Sequence, residues 1–305
     1  MISDDTEHTL MVAQSLLKHP DDAAAFAGSL AWRLRWWFLG LPAGVGLATA
    51  RACLKLWLGF PPDRSGVYSA GNGPAMRSAL LGAYFREDQD MTERFVTAST
   101  RLTHTDPRAL TGALAVAKLA AWAVQHAPAE PPSAEFVGDL LAKLAPDDRE
   151  WGELVGKMLA AWARGDSVAA FASSLGLSGG VTGYVYHTVP VAVYAWLRHY
   201  GDFRASLEAA LDCGGDTDTV GAIVGALAGG TAGAGGIPED WIAGIIDLPR
   251  SVGLLRNVAF RLGQQKREGQ PLGQVRYFWP AVLPRNLLFL IVVLLHGFRR
   301  LAPPY

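Results

Sequence analysis

Cysteine is nearly missing from this 305-residue chain, which holds only Cys53 and Cys213. Two isolated thiols support neither a disulfide framework nor a zinc ribbon, so a reducing, cytoplasmic setting is the expectation. Net charge is missing too: 27 Lys and Arg stand against 28 Asp and Glu. No general field therefore holds nucleic acid or an anionic lipid surface, and a nucleic-acid partner is not expected. The first residues, Met1 to Glu7, carry acids where a secretory signal carries basic and then apolar residues. Long apolar runs are scarce. Leu287–Leu295 contains nine consecutive apolar residues, about 14 Å as a helix against the roughly 30 Å of a bilayer core, so no transmembrane span is expected. That run is expected to form a buried terminal helix or a homo-oligomer contact, ahead of a membrane-surface anchor flanked by Arg299 and Arg300. Alternating Val, Ile and Thr bounded by hairpin dipeptides is also scarce, so a substantial sheet is not expected.

What is present is apolar mass at helical spacing. Hydrophobic residues make up 50% of the chain and charged residues 18%, enough apolar surface to offset ordering entropy. Helical intervals recur over 9–17, 24–38, 47–58, 110–124, 154–161 and 189–197, the fifth after the capping candidates Asp147 and Asp148. Breaks fall at Pro20, 40–42, 59–62, 128–132, 176–180 and 229–238, and none is long enough to be a linker. The expected fold class is all-α, a single compact domain over 1–305.

The chemistry concentrates in two oxygen-rich segments. Gly214-Gly215-Asp216-Thr217-Asp218-Thr219 leads into the small-residue run Val220–Gly230. Asp216 and Asp218 with two hydroxyls are hard donors suited to Mg²⁺ or Mn²⁺. The plainer reading is an N-cap, although one cap needs one such side chain. Ser3-Asp4-Asp5-Thr6 precedes another helical pattern and has the same plain reading. Together, however, the segments could complete two adjacent ion sites able to polarise a substrate oxygen and activate water.

These segments resemble the ADP-ribosylglycohydrolases, a family that includes dinitrogenase reductase-activating glycohydrolase and the ADP-ribosyl-acceptor hydrolases. Ser3-Asp4-Asp5-Thr6 looks like the family's first motif and Gly214–Thr219 like its last. Between and after them, Gly71-Asn72-Gly73, Thr103-His104, Gly183-Tyr184-Val185 and Gly236–Trp241 match in order, so the resemblance runs over about 3–242. Residues 254–305 stand outside those motifs and are expected to be a helical extension packing on the body.

The resemblance implies an all-α fold with a binuclear Mg²⁺ or Mn²⁺ centre that cleaves the glycosidic bond between ADP-ribose and an acceptor, either a protein side chain or a small ADP-ribosyl metabolite. The implied metal ligands are Ser3, Asp4, Asp5, Asp216, Asp218 and Thr219, with Asp4 or Asp5 as catalytic base. The implied substrate contacts are Gly71, Asn72, Gly73, His104 and Tyr184. For Gly71–Gly73 the plain reading is a turn, for His104 the ordering of a helix entry, and for Tyr184 and Tyr186 core packing. Trp32, Trp36 and Trp37 are expected on a core helix. Family members usually carry a Gly-Asp-Ala/Ser-hydrophobic-Gly segment and a closing acidic loop ahead of the Asp-Asp motif, which here starts at residue 4. A start upstream of Met1 is expected, because ligands at a frayed terminus would bind metal poorly. The competing expectation is a non-catalytic ADP-ribose-binding homologue lacking that segment.

Overall fold

A computed structural model describes residues 1–126 and 130–301. Residues 128 and 129 of the fourth break and residues 302–305 of the expected domain lie outside the described residues. Fifteen α-helices and no β-strand occur among the described residues. They are α1 (Asp4–Lys18), α2 (Ala23–Leu39), α3 (Leu47–Trp57), α4 (Ala79–Tyr84), α5 (Gln89–Arg101), α6 (Pro107–His126), α7 (Ala134–Ala142) and α8 (Arg149–Arg164). Then follow α9 (Val168–Ser174), α10 (Val185–Arg198), α11 (Phe203–Leu211), α12 (Thr217–Ala232), α13 (Glu239–Ala243), α14 (Val252–Glu268) and α15 (Val282–Leu301). The all-α fold class is as the sequence implied.

The helices exceed the apolar stretches that announce them. Apolar periodicity begins at Thr9, yet α1 starts at Asp4 and buries Asp5, Glu7 and His8 in its first turns. Those residues carry no hydrophobic signal because their burial is compensated by polar partners instead. α10 similarly extends back from Val189 to Val185 and contains Pro190.

The interior has two apolar clusters. One is built from residues such as Leu10, Leu16, Leu30 and Phe95, on α1, α2 and α5, and the other from Trp151, Tyr186, Trp196 and Ile223, on α8, α10 and α12. α6 feeds both, through Ala113 and Ala117 on one side and Val116 and Leu119 on the other. Small residues let it approach its neighbours closely. A Cβ on Gly82 of α4 would lie 1.8 Å from the Ala117 carbonyl oxygen, so only glycine fits there. The N-termini of α1 and α12 meet at the seam between the two clusters.

α15 divides in two. Val282, Arg285 and Asn286 are buried, and Asn286 Nδ2 donates to the Gly40 carbonyl at 2.6 Å. Beyond them Leu287, Leu288 and Leu290–Leu295 are exposed in the single chain. No helix among the described residues is long and apolar enough to cross a membrane.

Candidate metal centre

Ser3 stands at the N-cap position of α1 but does not cap it. Its hydroxyl instead donates to Asp5 Oδ2 at 2.7 Å. Asp216 occupies the same position on α12 and likewise makes no side-chain cap. Its carboxylate accepts from Asn72 Nδ2 at 2.7 Å. One oxygen from each of Asp4, Asp5 and Asp218 lies within 4.8 Å of the other two. Thr219 N donates to Asp218 Oδ1 at 3.1 Å. Two helix starts more than 200 positions apart thus bring Asp4, Asp5 and Asp218 together, with Ser3 bonded to Asp5, Thr219 to Asp218 and Asp216 to Asn72.

The second helix start is held by backbone. Val181 N donates to the Gly214 carbonyl at 3.0 Å, and Asp216 N to the Val181 carbonyl at 2.7 Å. A Cβ on Gly215 would lie 2.1 Å from the Val181 carbonyl, and its φ of 81° is itself a conformation that favours glycine. The Gly-Gly ahead of Asp216 is therefore a packing requirement.

Asn72 joins this strut to a third loop. Its backbone N donates to the Gly183 carbonyl at 3.0 Å and its amide nitrogen also donates to Thr188 Oγ1 at 2.9 Å. Gly183 faces the centre directly, since a Cβ there would sit 3.3 Å from Asp216 Oδ2. His104 lies beneath the loop, buried, with Nε2 2.9 Å from where a Gly71 Cβ would be and Cε1 3.2 Å from that of Gly73. Thr103 Oγ1 accepts from Arg77 Nη2 at 2.8 Å and bonds His104 Nδ1 at 2.8 Å. Burial, then the Arg77 charge, pushes His104 down to about 3, so it is a neutral ring supporting the Gly71–Gly73 loop.

Tyr184 follows Gly183 at the start of α10, half-buried. Its hydroxyl donates to Glu150 Oε1 at 2.8 Å, and the Arg108 guanidinium lies over its ring at 5.7 Å. Arg108 in turn pairs with Asp106 at 2.8 Å. Tyr186 is core: it is buried against Trp151 and donates to Asp148 at 2.8 Å. Trp37 is buried, whereas Trp32 and Trp36 are exposed. A cleft of about 580 Å³ between Trp32, Trp36, Tyr277 and Trp279 contains none of the predicted site residues.

Several residues that shape the site carry no local signal. Thr188 reads as an ordinary helical threonine, and Glu150 and Arg108 as solvated charge. Asp106 is the exception, because Asp-Pro-Arg at a helix entry announces a cap, and Asp106 Oδ1 does accept from Arg108 N at 3.0 Å.

The electrostatics test whether a cation fits. Burial, then the neighbouring Asp5 and Asp218 charges, pushes Asp4 up to about 8. Burial likewise raises Asp5, and raises Asp216 to about 6 with help from Asp218. Asp5 Oδ1 is buried and accepts no hydrogen bond. Mutually repelling carboxylates with an orphaned acceptor are strained without positive charge, and the donors are oxygens throughout, the set that suits Mg²⁺ or Mn²⁺. The residues fit the group.

Comparison with known proteins gives the same direction. The profile of the ADP-ribosylglycohydrolase family matches residues 1–270. An uncharacterized protein of Archaeoglobus fulgidus is 31% identical over 250 residues, covering 80% of this chain and 75% of that one. ADP-ribosylhydrolase ARH3 of Bos taurus is 29% identical over 214 residues and that of Homo sapiens 28% over 216, each match spanning 60% of this chain and 56% of the relative. A solved structure titled ADP-ribosylglycohydrolase-related protein complex superposes with a TM-score of 0.63 at 26% identity, covering 88% of this chain and 82% of that one.

Proposed function

We propose, from the premise that this chain belongs to the ADP-ribosylglycohydrolase family, that it is a metal-dependent hydrolase that releases ADP-ribose from a protein side chain or a small ADP-ribosyl metabolite. One observation carries the reading: two helix starts forgo their caps to bring Asp4, Asp5 and Asp218 within 4.8 Å of one another. Ser3, Asp4, Asp5, Asp216, Asp218 and Thr219 would hold two Mg²⁺ or Mn²⁺ ions. Bound there, the ions would supply Lewis acidity toward the ribose oxygens and lower the pKa of water.

The chain's own residues do the rest. Asp4 or Asp5 accepts the proton of the attacking water. The carboxylates at the seam also favour the positive charge that develops on the ribose as the glycosidic bond opens. Gly71, Gly73 and Gly183 leave room for ribose and phosphate to approach backbone, and Asn72, fixed on Thr188, orients Asp216. The Tyr184 ring offers a face for adenine. His104, neutral, sets the height of the Gly71–Gly73 loop.

Release of free ADP-ribose from arginine-linked, serine-linked and O-acetyl substrates, with Mg²⁺, Mn²⁺ or EDTA, tests this reading. Metal-dependent release that Asp216→Ala abolishes supports it and names the acceptor class. ADP-ribose binding without release from any substrate by the folded, metal-loaded protein would replace it with a non-catalytic ADP-ribose-binding role.

A further inference from the structure

The N-terminal ligand segment is tied down by residues from the other end of the chain. Ile2 N donates to Asp247 Oδ2 at 3.0 Å. Arg285 Nη2 donates to the Ile2 carbonyl and, at 2.7 Å, to Asp247 Oδ2, while Nε of the same guanidinium reaches Asp247 Oδ2 at 3.1 Å. Its Nη1 donates to Glu7 Oε1 at 3.0 Å. Glu7 also pairs with Arg250 and accepts from the Trp37 indole. All four charged residues are buried, none more than 8% exposed. Two carboxylates and two guanidinium groups therefore form a neutral cluster in the interior.

The placement of this cluster is what matters. A single guanidinium grips Ile2, just before Ser3-Asp4-Asp5, and Glu7, just after it. A chain end normally frays, whereas here both flanks of the segment Ser3-Asp4-Asp5 are anchored to a side chain on α15. Arg285 lies beyond residues 1–270 that the family profile covers, so nothing in the family match assigns it this role.

We propose that Arg285, with Asp247, is a positioning residue for the metal centre: it sets the register of Ser3, Asp4 and Asp5 against α12, and metal affinity depends on it. The inference rests on the metal-centre reading above. An Arg fork serves because it bonds a backbone carbonyl and two carboxylates at once in fixed geometry, which a Lys ammonium cannot reproduce. Removing a group that orients metal ligands without touching the metal typically weakens binding about 10- to 100-fold.

The test is a Mn²⁺ titration of the full chain, reading free Mn²⁺ by electron paramagnetic resonance, beside the melting temperature of each metal-free variant. Arg285→Lys keeps the charge and removes the fork, and is expected to raise the Mn²⁺ Kd about tenfold or more; Asp247→Asn is expected to act in the same direction. Leu288→Ser, on the exposed part of the same helix, is expected to leave Kd unchanged. Asp22→Ala, which removes a remote cap, is expected to lower melting temperature without moving Kd, which separates affinity from stability. Folded Arg285→Lys and Asp247→Asn proteins with wild-type Kd would overturn the proposal. Asp218→Asn tests the premise separately: undiminished Mn²⁺ binding in that variant would break the metal-centre reading itself. Where Arg285→Met leaves the buried carboxylates unpaired and fails to fold, the Lys and Asn variants decide.

Discussion

Among the described residues, seven helices besides α6, which is entered through Asp106, are capped by the side chain of the Asp or Ser that precedes them: Asp22, Asp88, Ser133, Asp148, Ser167, Asp202 and Ser251. α1 and α12 place the same residue types at the same position, Ser3 and Asp216, and neither side chain caps. At the seven, an oxygen satisfies an orphan backbone N–H of its own helix, for a typical gain of about 1 kcal/mol. At the two, the Ser3 hydroxyl bonds Asp5 and the Asp216 carboxylate accepts from Asn72 instead. Local sequence cannot tell these cases apart, since the difference arises only where two helix starts converge. The comparison teaches that forgone local caps and carboxylates held close against their repulsion coincide in one region of this molecule.

The sharpest way to break the comparison is to remove a carboxylate from the uncapped pair. Asp218→Asn or Asp5→Asn is expected to lower ADP-ribose release about a thousandfold, because the several kcal/mol of transition-state stabilisation that such a centre provides corresponds to about three factors of ten. The same substitution removes a repelling charge, so the metal-free melting temperature should stay level or rise. A variant that melts lower and keeps its turnover would place the residue among the structural caps instead. Steady-state kinetics and thermal unfolding on one preparation check both halves.

A smaller effect separates the regions through pH. Asp4 titrates near 8 in the metal-free protein against an ordinary value of 3.8. Between those values the folded state therefore holds more protons than the unfolded state, and stability falls as pH rises. His8 and His104, held neutral by burial, act in the opposite sense below their ordinary value of 6.5. The clean window is thus pH 6.5 to 8, where the metal-free protein should melt at progressively lower temperature. Saturating Mn²⁺ should flatten that slope, since a bound cation replaces the protons, and binding at pH 6.5 should release protons to the buffer. A slope unaltered by metal would mean that the carboxylates do not receive it.

The sequence made the two donor clusters legible because metal-suited oxygens are dense there, and it made the helical class legible because apolar spacing over 24–38, 47–58 and 110–124 is regular. Asn72 was legible through the glycines around it, and its bond to Asp216 places it against the cluster. What was illegible is long-range polar pairing. Arg285 reaches the Ile2 carbonyl across 283 positions, and nothing near either residue announces the other. Nothing around Glu7 and His8 signals their burial, because burial of a charged side chain depends on partners elsewhere in the chain. Thr188 was hidden for the same reason. The exposed face of Leu287–Leu295 was equally invisible, since an apolar run looks the same whether or not a neighbouring helix covers it.

The smallest effect tests the comparison from the capped side. Asp22 Oδ1 accepts from Ala24 N at 2.9 Å and Ala25 N at 3.0 Å, two of the orphan donors of α2. Asp22→Ala should lower the melting temperature by about 2 °C for a chain of this size, with ADP-ribose release unchanged. Ser3→Ala removes a hydroxyl from the equivalent position of α1, where no cap bond exists to lose. It should therefore show no comparable loss of metal-free stability, yet weaken Mn²⁺ binding, because the bond that orients Asp5 is gone. Opposite responses from two alanine substitutions at the same helix position would establish that the distinction lies in what each oxygen faces; parallel losses of stability would return Ser3 to the ordinary caps and leave the aspartates to hold the centre without it.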